Sequence, residues 1–176
     1  MVTRRHAREW ALQMLVQFDL NPPDDMDAGI AAFWKLLEQL EEDAIEDGVV
    51  RIEPAFTSDD RREAKALAAM KRFAEERVRG VWEQREDLDA RLEPYLKNWS
   101  LYRLGSVERN ALRLGAWELV SHPELPAAVV VNEAIDITKY FTETKAGRFV
   151  NGVLDRFARD LRTPEAETFT PEEAKG

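Results

Sequence analysis

Lys145-Ala-Gly-Arg-Phe-Val-Asn-Gly-Val-Leu-Asp-Arg-Phe-Ala-Arg-Asp-Leu-Arg162 is the stretch from which the fold is read. Ala146, Phe149, Val150, Val153, Leu154, Phe157, Ala158 and Leu161 recur in it at steps of three and four residues. That spacing marks one face of a helix turning about 100° per residue. On the same wheel Lys145, Arg148, Arg156 and Arg159 gather on one flank around Gly152. Phe149 falls on the seam between this flank and the buried face. Two readings share the pattern. An amphipathic helix with a solvated edge needs no ligand. A basic flank with an aromatic beside it also suits a phosphate-bearing strand whose bases stack.

Working back along the chain, residues 127–141 begin with a strand-like Val129-Val130-Val131, but Asn132-Glu-Ala-Ile-Asp-Ile137 restores the helical period. Ser121-His122-Pro123-Glu-Leu-Pro126 separates this helix from an earlier one starting after Ser106. There Val107, Ala111, Leu112, Leu114, Ala116, Trp117, Leu119 and Val120 leave little polar surface, the mark of a central helix. Its Glu108, Arg109, Arg113 and Glu118 therefore need partners or a rim position. Residues 86–97 form a shorter helix, with Leu88, Leu92, Tyr95 and Leu96, that Pro94 weakens late. Before it, Ser58-Asp59-Asp60 can cap a helix running to about Arg85, and Ile30, Phe33, Trp34, Leu37 and Leu40 mark another over about 26–42. Val49–Ile52 could pass for a short strand, but no partner run lies nearby.

The first helix is capped by Thr3 and stopped by Asn21-Pro22-Pro23. Ala7, Trp10, Ala11, Met14, Leu15 and Phe18 form its stripe. Arg5, Leu12 and Val16 fall on the far side, about 140–180° from the buried centre. Arg4 and Arg8 lie at the flank. Cations at a helix N-terminus oppose the helix dipole. Three arginines there read either as a solvated arm or as a nucleic-acid contact.

Seven helices without a sheet make an all-α fold. Its expected organisation is one helical domain over 1–162, with an N-terminal bundle at about 3–85 and a C-terminal bundle at about 86–162. An acidic insertion at about 41–60 and an acidic tail at 163–176 are expected to be disordered. With 176 residues the chain can bury a sizeable core. No apolar run approaches the ~20 residues of a membrane span and no signal peptide opens it. The absence of cysteine removes disulfides, thiolate metal sites and cysteine nucleophiles, and it fits a cytoplasmic protein. The net charge of −9 is unevenly spread. Residues 38–60 hold nine acids against one Arg, and 163–176 hold four Glu against one Lys. Subtracting these −8 and −3 leaves +2 on the rest. Residues 101–116 carry three Arg and one Glu, and 145–162 five bases against two Asp. Basic patches thus hide behind an acidic total.

The residues for catalysis are not assembled. His6 and His122 have no companion at metal-ligand spacing. Gly147 and Gly152 have the spacing of a phosphate loop's glycines but not the Lys-Ser/Thr that follows, and they sit in a helix. No nucleophile elbow or Rossmann glycine pattern is present. Neither an enzyme, a metal site nor a cofactor is expected.

Arg4-Arg5-His-Ala-Arg8-Glu9-Trp-Ala-Leu-Gln13 resembles the arginine-rich opening of the NusB family of transcription antitermination factors. Trp99, followed by Arg103-Leu-Gly-Ser-Val-Glu-Arg109-Asn-Ala-Leu-Arg113-Leu-Gly-Ala-Trp117-Glu-Leu119, resembles the family's central signature. Pro126-Ala-Ala-Val-Val-Val-Asn132-Glu-Ala-Ile135 and Arg148-Phe-Val-Asn-Gly152-Val-Leu-Asp155 resemble the closing ones. The four stand in the family's order, and the match covers most of the chain, leaving out the acidic insertion and the tail.

The resemblance implies a NusB-like fold of two small helical bundles packed together. It also implies binding of single-stranded boxA-type RNA with NusE, the ribosomal small-subunit protein, in a complex that helps RNA polymerase resist termination on ribosomal RNA operons. RNA contact is carried over to Arg4, Arg5, Arg8, Tyr95, Arg113, Arg148 and Phe149. Lys145 stands where relatives often carry an acid and adds positive charge beside Phe149. Leu12 and Val16, with no core expected for them to enter, are assigned to the partner interface. A stand-alone relative of the N-terminal domain of RNA cytosine methyltransferases would share the fold, but this chain has neither cofactor domain nor catalytic Cys. A helical adaptor that binds only protein is the other alternative, and salt-dependent RNA binding separates it from the main reading.

Overall fold

The computed structural model describes residues 2–46, 61–97 and 99–162. Among them are seven α-helices and no strand: α1 (Arg4–Leu20), α2 (Met26–Glu46), α3 (Arg61–Glu83), α4 (Arg85–Leu92), α5 (Ser106–Ser121), α6 (Ala127–Phe141) and α7 (Thr144–Leu161). The all-α expectation holds. α2 runs four residues past its expected end at Glu42. The rest of the acidic insertion, the expected cap at Ser58-Asp59-Asp60 and the tail lie outside the described residues. No described helix is long and apolar enough to cross a membrane. The chain divides into two compact units, Met1–Arg85 and Glu86–Gly176.

In the first unit α1 lies along α3, with α2 against it. The start of α1 is fixed by a reciprocal cap. The Thr3 hydroxyl accepts from the His6 backbone N–H at 3.4 Å, and the His6 Nδ1 accepts from the Thr3 N–H at 3.1 Å. Trp10, Trp34 and Phe33 pack edge to face at 5.3 Å, and Phe18 meets Trp82 at 5.9 Å. The expected stripe of α1 is buried as read, but the helix is covered on more sides than one. Leu12 is only 1 % exposed, so the expectation that it stands on a free face is overturned. Its isobutyl group belongs to the core, where covering apolar surface is favourable. Val16, one turn on, is half-buried.

In the second unit α5 is the central element. Every residue from Asn110 to Leu119 is buried, and α6 and α7 pack on α5 and on each other. Gly115 permits that approach. A Cβ added there would lie 2.5 Å from Leu154 Cδ1, so α7 comes closer than a larger residue allows, whereas Ala134 of α6, at 3.5 Å, would be in ordinary contact. The α4 helix stops at Leu92, earlier than the expected Lys97. Pro94 cannot donate to a continuing helix, and Glu93–Tyr95 tightens into a 3₁₀ turn instead. Lys97 then turns the chain with φ 24°.

Candidate nucleic-acid interface

The face of α7 that enters the core is the one read from the spacing. Val150, Val153, Leu154, Phe157 and Ala158 are all buried. Lys145, Arg148, Gly152, Asp155 and Arg159 are exposed along the outer side, and Phe149 is half-buried between the two. Among the described residues no carboxylate pairs with Lys145 or Arg148. Their charges face solvent beside an aromatic ring that is only partly covered. A phosphate would meet both cations without displacing an ion pair, and a splayed base could lie on the ring.

Arg156 departs from the expected flank. Its Nε donates to the Gly152 carbonyl at 2.8 Å and its Nη2 to the Tyr95 carbonyl at 2.7 Å, so its guanidinium folds back as a clasp. Tyr95 is tied to the same part of α7. Its ring meets Phe157 edge-on at 5.6 Å, and its hydroxyl donates to Asp160 Oδ2 at 2.8 Å. Burial, chiefly, raises the Tyr95 phenol above the ordinary tyrosine value. The hydrogen bond to Asp160 and the charge of that carboxylate add to the rise, and Arg91 and Arg156 oppose it. Phe149 and Phe157 are eight residues apart, about 12 Å along the axis. The structure therefore brings Lys145, Arg148 and Phe149 together and sets Tyr95 roughly two turns away.

Arg113 is not part of that surface. It is 4 % exposed, and its Nε and Nη2 donate to the two oxygens of Asp89 at 2.7 and 2.6 Å. Its Nη1 donates to Asn110 Oδ1 at 3.2 Å. A guanidinium sunk in a central helix needs its carboxylate, and one held in this two-pronged way has no face for a phosphate. The RNA role expected of Arg113 is corrected to a structural one.

In the first unit the arginine arm is partly built in. Arg4 and Arg5 are exposed, whereas Arg8 is 4 % exposed. The guanidinium carbons of Arg4, Arg8 and Arg77 lie 5.7, 5.2 and 3.2 Å from the Phe73 ring centroid. Arg77 is itself buried and donates from Nη1 to the Phe73 carbonyl at 3.1 Å and to Glu76 at 3.3 Å. The expectation of Arg8 as a solvent-facing phosphate contact is thereby corrected. Packing on an aromatic face holds it inside, where it supplies positive potential beneath the exposed Arg4 and Arg5. Neither Phe73 nor Arg77 stands out in the sequence as a functional residue. Their only local signal is the four-residue spacing that stacks one on the other in α3.

Comparison with known proteins agrees with this architecture. The NusB family model matches residues 5–159. The transcription antitermination protein NusB of Bacillus pumilus is 36 % identical over 159 residues, covering 90 % of this chain and 97 % of that one. The T. maritima NusB structure superposes with a TM-score of 0.66 at 28 % identity, over 91 % of this chain and 93 % of that chain. A crystal structure of the antitermination factors NusB and NusE in complex with dsRNA matches with a TM-score of 0.64 at 26 % identity, over 89 % and 96 %. With a family match over most of its length and a relative 36 % identical across nearly its whole length, the chain belongs to the NusB family.

Proposed function

We propose that this protein is an RNA-binding transcription antitermination factor. It binds single-stranded boxA-type RNA of ribosomal RNA operons together with NusE and helps RNA polymerase resist termination. The observation that carries the reading is the outer side of α7, where Lys145 and Arg148 stand exposed beside half-buried Phe149, with no carboxylate pairing with them among the described residues. The likeness to a NusB–NusE complex with dsRNA supports it. In this reading Arg4, Arg5, Lys145 and Arg148 meet phosphates, Phe149 stacks a base, and the Tyr95 ring adds an aromatic edge. Arg8 contributes its charge from within. Val16 lies in or beside the NusE interface.

The test is a titration of the whole protein with boxA-like and scrambled single strands, with and without NusE, over a range of salt. The boxA-like strand should bind more tightly, and more so with NusE present. Arg148→Ala should flatten the salt dependence by about 0.7 unit, the value of one phosphate contact on a single strand. Phe149→Ala should lose roughly 1–3 kcal/mol of affinity with the slope unchanged. Val16→Asp should abolish NusE binding while leaving the melting temperature alone, and unfolding of that variant would move Val16 to the core. Absence of salt-dependent RNA binding in every condition would leave a protein-only adaptor.

A further inference from the structure

Gly152 sits in the middle of α7, where glycine costs about 1 kcal/mol of helix stability relative to alanine. Three internal reasons could justify it, and none applies. Its backbone is that of a continuous helix from Thr144 to Leu161, with no left-handed φ. A Cβ added there would meet no atom within 4 Å, unlike at Gly115 in the same unit, so no neighbouring helix needs the space. The residue is also exposed, which leaves no core for its missing side chain to disturb. Among the described residues, then, nothing accounts for a bare backbone at this position.

What surrounds the bare spot gives the chemistry of the visitor. Arg148 and Arg156 stand one turn before and one turn after Gly152, each about 6 Å along the axis, with Lys145 a further turn back and Asp155 the one acid of the stripe. The Gly152 carbonyl would repel an anion, but Arg156 Nε donates to it and covers it with a cation. The second bond of Arg156, to the Tyr95 carbonyl, pins the guanidinium in place. These two bonds use two of the five N–H groups that an arginine carries, and the structure assigns no acceptor to the other three among the described residues. We propose that Gly152 is the point where the RNA backbone touches α7, with a phosphate lying on the bare Cα between Arg148 and the pinned guanidinium of Arg156. This rests on the RNA-binding reading above and adds a contact that charge counting alone would not find.

The test uses two properties that should move in opposite directions. Gly152→Ala should raise the melting temperature by about 2–4 °C, as a helix-favouring change with nothing to clash against should. The same variant should bind the boxA-like strand about tenfold more weakly, a loss of 1.4 kcal/mol. Gly152→Leu should weaken binding further without unfolding the protein, since its side chain projects into the same open space. Arg148→Ala is measured alongside. If that variant loses affinity while both Gly152 variants bind as the parent does, the contact at Gly152 is refuted and the RNA-binding reading stands. A fall in melting temperature for Gly152→Ala would also overturn it, by showing that the glycine serves the fold. Failure of the parent protein to bind RNA at all would remove both.

Discussion

Arg113 and Tyr95 both carry the expectation of facing RNA, and their surroundings give them different work. The Arg113 guanidinium is enclosed with the Asp89 carboxylate, and removing either partner strands a charge in the core. Arg113→Ala should therefore cost about 3–5 kcal/mol of stability, measured by denaturant unfolding. The fraction still folded should keep its RNA affinity, and a selective loss of binding with unchanged stability would return Arg113 to the contact surface. Tyr95 carries a pH signature instead. Burial and the bond to Asp160 make the fold prefer the neutral phenol. That preference stabilises the protein fully below the ordinary tyrosine pKa near 10 and is lost as pH rises through the elevated folded value. Comparing ultraviolet titrations of the parent and Tyr95→Phe should reveal one phenol ionising late. Asp160→Asn should bring that ionisation back toward the ordinary value, and a Tyr95 that titrates normally would contradict the bonded geometry.

Elements with strong local grammar are legible in the sequence itself. The bounds of α6 fall at residues 127 and 141 as read, because Pro126 precedes the first turn and the three-to-four spacing runs through to Phe141. The buried face of α7 and the seam position of Phe149 are likewise written in one helical wheel. Features that need a second segment are not legible. Asp89 lies 24 residues from Arg113, and nothing in the spacing of α5 names it as the counter-ion. Leu12 looks surplus because one stripe suffices for α1 on a wheel, and only the packed chain shows that helix covered on further sides. Phe73 reads as an ordinary core position, yet its ring gathers three guanidiniums. Gly115 belongs to the same class, since its role is the distance between helices. Gly115→Ala would press a methyl against fully buried Leu154, and overpacking of that kind costs typically about 1–3 kcal/mol. The expected result is a lower unfolding midpoint for Gly115→Ala. A midpoint equal to or above the parent's would mean that Leu154 can move aside at no cost.

At the scale of the whole molecule, an acidic protein is asked to bind a polyanion. The −9 total comes from residues 38–60 and 163–176, while the rest carries +2. Contacts within a few ångströms are felt at any ordinary salt, but charges farther away act only within the screening length. That length is about 8 Å at 0.15 M ionic strength and about 30 Å at 0.01 M. Near physiological salt the RNA therefore responds to the cations it touches. At low salt the acidic segments join in and oppose it, so affinity should rise less steeply on dilution than the count of phosphate contacts implies. Removing residues 163–176 takes away a net −3 and none of the proposed contacts. At ~0.01 M salt the shortened protein should bind the boxA-like strand about threefold more tightly than the parent, and at ~0.15 M the two should be nearly equal. Equal gains at both salts would mean that the acidic stretch competes for the RNA surface by direct contact, and no gain at either would mean that its charge lies beyond the reach of the bound strand even at the longer screening length.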